Sequence, residues 1–363
     1  MAASRRWIHL MCLAACMASS AVAAPVTITG VSGDPVAFDP GPGERGTIVY
    51  RLSSAARVTV RVWDASDRLV RTLIAGQERA TGEHREIWDG RDDSGRVVAP
   101  EAYPFTIEAL GPGESTPVVH DMTDADRGED APLENVTLDA ATGAISYSLA
   151  GPSRVVLRIS EAEGPLIRTV VNFAVRTATT ATEPWDGWDA GRATFYPPER
   201  RSLLRANGSG HRLSRNTFVI TGTGSAPEPT GAARRPRAQG THRMYQHSQH
   251  PRHACFDPQI TLSLAGGAGS AGHDDERITV QVGAPASAER FILDQRFELV
   301  FYVDGVFSYE EELGFLPFNW TWKPAGLSGT EHVITANLLG YEGHFGAVSL
   351  KVPIPSRPGT TVP

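Results

Sequence analysis

Trp88-Asp89-Gly90-Arg91-Asp92 recurs as Trp185-Asp186-Gly187-Trp188-Asp189, ninety-seven positions further along the chain. The same offset carries Tyr50 onto Tyr147, Arg57 onto Arg154, Arg61 onto Arg158 and Arg71-Thr72 onto Arg168-Thr169. No gap is needed from Gly46 (matching Gly143) to Asp92 (matching Asp189), and roughly a third of these positions are identical. Solenoid units run about 20–50 residues, so a period of this length marks a duplicated domain. Upstream of the repeated corner, residues 47–52, 58–63 and 69–74 alternate apolar and polar side chains with period two. They are rich in β-branched or aromatic types and bounded by Gly, Ser, Asp or Pro, which predicts strands with one buried face, spaced as in a sandwich.

The bulk of the chain fits that reading. At 363 residues it accommodates two to four domains, and 36 glycines with 26 prolines suit turn-rich β structure. A net charge of -7 argues against nucleic acid as a partner, because phosphate binding needs a basic surface. Residues 1–23 have the form of a secretion signal: Arg5 and Arg6, an apolar stretch over 7–18, and Ala21-Val22-Ala23 before a cleavage point at Ala24. Leu13-Ala14-Ala15-Cys16 offers an alternative, a lipidated Cys16 as first mature residue and as a membrane anchor. Either route predicts export to the periplasm, the outer membrane or the surface of a bacterium. Cys255 is then the one cysteine left in the folded part, which excludes an intramolecular disulfide and leaves each domain to hold together by burial.

Ile87-Trp88-Asp89-Gly90-Arg91-Asp92-Asp93-Ser94-Gly95-Arg96-Val97-Val98, followed by Tyr103-Pro104-Phe105-Thr106-Ile107, resembles the FlgD-type immunoglobulin-like domain. That family's W-D-G-x-D-x-x-G turn leads into a final aromatic strand, and this chain departs from it at Pro100-Glu101, where glycine is usual. The resemblance implies an immunoglobulin-like sandwich and, by analogy, a role in assembly. The expected fold is all-β, three tandem immunoglobulin-like sandwiches after the signal peptide. Residues 24–111 would form the first and 112–132 an acidic linker. Residues 133–224 would form the second, with an insert over 190–212 and Asn216–Ile220 as its last strand. A Pro/Arg-rich linker (225–241), a third domain (242–354) and a tail (355–363) would follow. In the third domain, Tyr302-Val303-Asp304-Gly305, Pro317-Phe318-Asn319-Trp320 and Gly329-Thr330-Glu331-His332 look like the strand-turn grammar of bacterial immunoglobulin-like domains.

Candidate chemistry is thin. His242, His247, His250, His253 and Cys255 are zinc or copper ligands in type, but Pro251 interrupts any helix that would bring them together, and no recognised zinc spacing is reproduced. Asp124, Asp126 and Asp130 resemble a degraded calcium loop without its closing glutamate, so a structural Ca²⁺ competes there with a solvated linker. There is no G-x-S-x-G elbow and no H-E-x-x-H. Glu310-Glu311-Glu312 lacks the opposed geometry of glycosidase carboxylates and reads as a charged strand edge. A long loop at one end of a sandwich is where binding surfaces are built, which makes Trp188, Tyr196, Arg200 and Arg201 binding-loop candidates. Trp320 and Trp322 share one sheet face, either as core or as a platform for sugar rings. The expected function is non-catalytic and without a cofactor: a structural or adhesive protein binding other envelope or surface proteins. Polysaccharide binding through exposed aromatics, or metal binding over residues 242–255, stands as the alternative.

Overall fold

In the first sandwich, alternation of buried and exposed positions along Gly46–Leu52 follows the period of two that places successive side chains on opposite faces. The computed structural model describes residues 24–121, 129–224, 257–265, 277–324, 330–341 and 343–354. Among the described residues the chain is mainly β, in six sheets, and its buried apolar side chains gather into three main cores. The first eight strands are β1 (Ile28–Asp34), β2 (Ala37–Phe38), β3 (Gly46–Leu52), β4 (Ala56–Trp63), β5 (Leu69–Arg79), β6 (Gly82–Trp88), β7 (Ala102–Leu110) and β8 (Val118–His120). The order β1-β3-β6 makes one sheet, while β4 pairs antiparallel with β5 and β7 in the other. Between them lie Ile48, Tyr50, Val58, Val60, Trp88, Phe105 and Ile107, all fully buried.

The second sandwich contains β9 (Glu129–Pro132), β10 (Glu134–Leu138), β11 (Ala144–Ser148), β12 (Ser153–Glu161), β13 (Leu166–Arg176) and β14 (Thr180–Pro184). A short 3-10 helix (Pro198–Leu203) then leads into β15 (Leu204–Arg212). Its sheets run β10-β11-β14 and β13-β12-β15-β9.

Three expectations are corrected here. The segment 112–132 is not merely a linker: β8 adds to β7 of the first sandwich, and β9 adds to β15 of the second. The proposed insert over 190–212 is far smaller than its span. In the first sandwich Arg57 pairs with Leu110 and Val62 with Phe105; in the second Arg154 pairs with His211 and Ile159 with Ala206. Thus β15 is the counterpart of β7 at an offset of 101, only four residues beyond the offset that holds through the corner. Small and polar residues (Ala206-Asn207-Gly208-Ser209-Gly210) gave that strand no β signature in the sequence.

The third correction concerns the strand at 217–220. β16 (Thr217–Ile220) belongs to the first sandwich, antiparallel to β7 and parallel to β2. The physical reason is occupancy. β9 already covers the outer edge of β15, whereas the stretch of β7 from Ala102 to Pro104 has an edge open to β16. Phe218 then packs among Phe38, Trp88 and Phe105, with ring centroids 5.4–5.9 Å apart. Asn216 fixes the entry: its Nδ2 donates to the Phe105 carbonyl at 2.9 Å, and its own carbonyl accepts from Phe105 N at 2.9 Å.

The third sandwich comprises β17 (Thr261–Leu264), β18 (Ile278–Gly283), helix α1 (Ala286–Leu293), β19 (Phe297–Val303), β20 (Val306–Glu311), β21 (Phe318–Trp322), β22 (Glu331–Gly340) and β23 (Phe345–Pro353). The sheets are β17-β18-β21 and β20-β19-β22-β23. Asp304 and Gly305, both at positive φ, make the two-residue turn joining β19 to β20, as Asp-Gly favours in a hairpin.

Candidate functional site

The repeated corner is built by its carboxylates. Trp88 Nε1 donates to the Arg91 carbonyl at 2.9 Å, and Trp185 Nε1 to the Trp188 carbonyl at 2.8 Å. Asp92 accepts the backbone N–H groups of Ser94 and Arg96, and Asp189 those of Ala193 and Thr194. Burial raises the Asp189 pKa despite those bonds. These aspartates form turns and have their oxygens occupied.

A cavity opens at this end of the second sandwich. It measures about 320 Å³ and lies between the Glu161–Gly164 hairpin and the 3-10 helix, with Leu203 and Arg205 on its wall. Tyr196 forms its inner side, buried in the core with its hydroxyl donating to Glu161 Oε1 at 3.1 Å. Burial, and then the Glu161 carboxylate, push the Tyr196 phenol well above its ordinary pKa. Arg200 is exposed and sits 5.6 Å from the Tyr196 ring centre.

The other binding-loop candidates divide. Arg201 is buried: its Nε donates to the Tyr196 carbonyl at 2.9 Å and Nη1 to the Ala140 carbonyl at 3.2 Å, over the Trp185 ring. It braces the corner from within and is corrected from binding surface to core. Trp188 is half-buried against Phe195, the rings tilted by 51°, which gives no flat platform. Trp320 and Trp322 are each only 7% exposed and pack in the third core, so they are not available to a sugar ring.

Asp130 lies on β9, where its carboxylate meets His211 Nδ1 at 2.6 Å. Asp124, Asp126, His242, His247, His250, His253, Cys255 and Cys16 lie outside the described residues, as does the signal segment. Among the described residues no cluster of three or more His, Cys, Asp or Glu is placed to hold a metal ion, and no helix is long and apolar enough to cross a membrane.

The second and third sandwiches meet across β13 and β23. Asn337 bridges them reciprocally, Oδ1 accepting from Leu166 N at 2.8 Å and Nδ2 donating to the Leu166 carbonyl at 3.0 Å. Arg158 donates to the Gly343 carbonyl at 2.9 Å and lies 4.7 Å from the Phe345 ring centre. Burial lowers its pKa to about 10 and raises that of the nearby Asp257 to about 6.

The surface that sequence reasoning missed is β20. No described strand pairs with its outer edge. Val306 is 69% exposed and Phe307 58%, followed by Leu313 at 82% and an exposed Phe315. Tyr309 stacks on Phe318 and Trp320 with ring planes within 16°, roofing the core at this edge. The Asp304-Gly305 turn and the Val306-Phe307 pair directly after it were the available signal, while the glutamates at the end of the strand pointed to a charged edge alone.

Comparison with known proteins bears on the first sandwich. Residues 33–113 match the family model described as FlgD Ig-like domain. The chain therefore contains one FlgD Ig-like domain. No curated protein matches the sequence. Among solved structures, a tetra-tandem repeat in the extending region of a large adhesion protein is 12% identical with a TM-score of 0.19, over 92% of this chain and 74% of that one. A structure from a 1.5-MDa bacterial ice-binding adhesin is 11% identical with a TM-score of 0.18, over 91% and 98%. Escherichia coli alpha-2-macroglobulin is 10% identical with a TM-score of 0.20, over 92% of this chain and 23% of that one. Scores and identities this low carry no argument about function.

Proposed function

We propose that this is an exported, non-catalytic structural or adhesive protein that binds another protein in a bacterial envelope or surface assembly. The observation that supports it is the edge of β20, which no described strand pairs, with exposed Val306 and Phe307 at its start and exposed Leu313 and Phe315 beyond its other end. A long edge with apolar side chains is a liability in a protein with no partner, and natural sheets blunt such edges unless they are used. Main-chain pairing along an edge supplies affinity, and the flanking side chains supply specificity.

The second sandwich is, on this reading, a diverged copy of the FlgD Ig-like domain, and residues 1–23 direct export, with Cys16 as an alternative lipid anchor. The test is recovery of partners from native membranes with the tagged full chain, followed by mass spectrometry. A Phe307→Ser, Leu313→Ser variant is run in parallel. Wild type should retain a discrete partner that the variant loses. Recovery of no partner, or of the same proteins by both, would count against the reading.

A further inference from the structure

β20 starts at Val306, directly after the Gly305 turn, and that turn abuts the cavity of the second sandwich. A methyl group added at Gly164 would lie 3.2 Å from the Gly305 carbonyl oxygen, and one added at Gly305 would lie 2.7 Å from Glu161 Oε2. The far end of β20 carries Glu310 and Glu311, with Glu312 just beyond. Any strand laid along β20 therefore runs between the cavity and an acidic run.

We propose that the edge of β20 left unpaired among the described residues takes an extended peptide segment of a partner protein as a fifth strand, with an apolar side chain in the cavity beside Tyr196 and Leu203 and a basic side chain against Glu310 and Glu312. This rests on the protein-binding reading above. Six residues of strand span about 20 Å, enough to reach from the one feature to the other.

Charge decides which end takes which side chain. In the cavity the signs balance: Glu161 and Glu163 stand beside Arg200 and Arg205, with Glu161 bonded by Tyr196 and Arg205 donating to the Leu204 carbonyl at 3.0 Å. An uncharged side chain that fills space suits such a lining. At the other end Glu311 is engaged by the Tyr309 hydroxyl and Leu313 N, while Glu310 and Glu312 are exposed. Exposed glutamates on an edge repel an acidic strand and favour a basic one.

The experiment uses the mature full chain and three fluorescein-labelled peptides, read by anisotropy, each made in both strand directions. The parent is Leu-Thr-Val-Thr-Val-Thr-Lys-Lys; in one control Glu-Glu replaces Lys-Lys, and in the other Gly replaces Leu. The parent should bind in one direction, with the acidic control weaker by about tenfold and the glycine control weaker by about threefold. Glu310→Gln with Glu312→Gln should erase the first difference, and Leu203→Glu the second. Equal binding of all three peptides would overturn this inference and leave the edge as a general protein-binding surface. Binding of none, in either direction, would overturn both.

Discussion

The Tyr147 hydroxyl donates to Glu183 Oε1 at 2.9 Å, and Tyr50, ninety-seven residues earlier, donates to Glu86 Oε1 at 3.1 Å. An arginine completes each pair, Arg176 on Glu183 and Arg79 on Glu86, again at the same offset. Both tyrosines are buried, and burial followed by their glutamates pushes both phenols upward in pKa. Removing either hydroxyl leaves a largely buried carboxylate one donor short. Tyr50→Phe and Tyr147→Phe should each cost about 1–2 kcal/mol, seen as a lower denaturant midpoint for the sandwich that carries the change. The double variant should show the two losses independently, since they lie in separate cores.

Phe218 makes the first sandwich depend on chain that follows the second. Phe218→Ala should destabilise the first sandwich by about 3–5 kcal/mol, the range for emptying a buried aromatic site. Residues 24–121 expressed alone, lacking β16, should melt well below the same residues within 24–224. Differential scanning calorimetry of the two fragments checks this, and equal midpoints would show that β16 contributes nothing to the first core.

Asn337 makes a reciprocal pair of hydrogen bonds between the second and third sandwiches. Asn337→Ala should weaken their docking by about 1–3 kcal/mol, because the Leu166 N–H and carbonyl each lose a partner. Gly191→Ala acts sterically at the same junction, since a methyl there runs into the Ser349 backbone. Hydrogen exchange should show faster opening of β13 and β23 in both variants, with β1 and β3 unchanged.

Acidity should tighten this junction. Burial raises the Asp257 pKa to about 6, above the ordinary carboxylate range, with Arg158 and Arg168 opposing. Its contribution to stability is therefore greatest below about pH 4 and is lost as pH rises through 6. The Arg158 value near 10 places its titration outside this window. Melting of the third sandwich, compared at pH 5 and pH 7, should favour pH 5 in wild type by more than in Asp257→Asn. An identical pH response in the two proteins would exclude Asp257 as its source.

Periodicity made the strands legible wherever one face is buried and the other wet. Residues 47–52 and 58–63 fall within β3 and β4, and the W-D-G corner marks the turn at its residues. The signal failed where strands carry small residues, as in β15, and where a strand crosses between sandwiches, as in β16, because periodicity reports a buried face but not which core buries it. Glu86 with Glu183 and Arg79 with Arg176 were readable at the repeat offset, yet as isolated identities nothing marked them as partners of Tyr50 and Tyr147. Arg201 and Tyr196 looked like loop residues because Pro197 and Pro198 surround them with turn grammar; their burial depends on contacts with Trp185 and Ala140 made in three dimensions. The exposed side of β20 was hidden for a related reason. Glu310-Glu311-Glu312 marked a charged strand edge, but nothing in Val306-Phe307-Ser308-Tyr309 told that its apolar side chains are exposed.

Site-specific photo-crosslinking in the native envelope tests whether the β20 edge binds another protein. A photoreactive phenylalanine analogue replaces Phe307 in one form of the protein and the exposed Ile87, on the first sandwich, in another. A discrete crosslinked protein adduct is expected from position 307, and none of matching mass from position 87. Adducts from position 87 alone, or no adduct from position 307, would contradict a protein-binding role for the β20 edge.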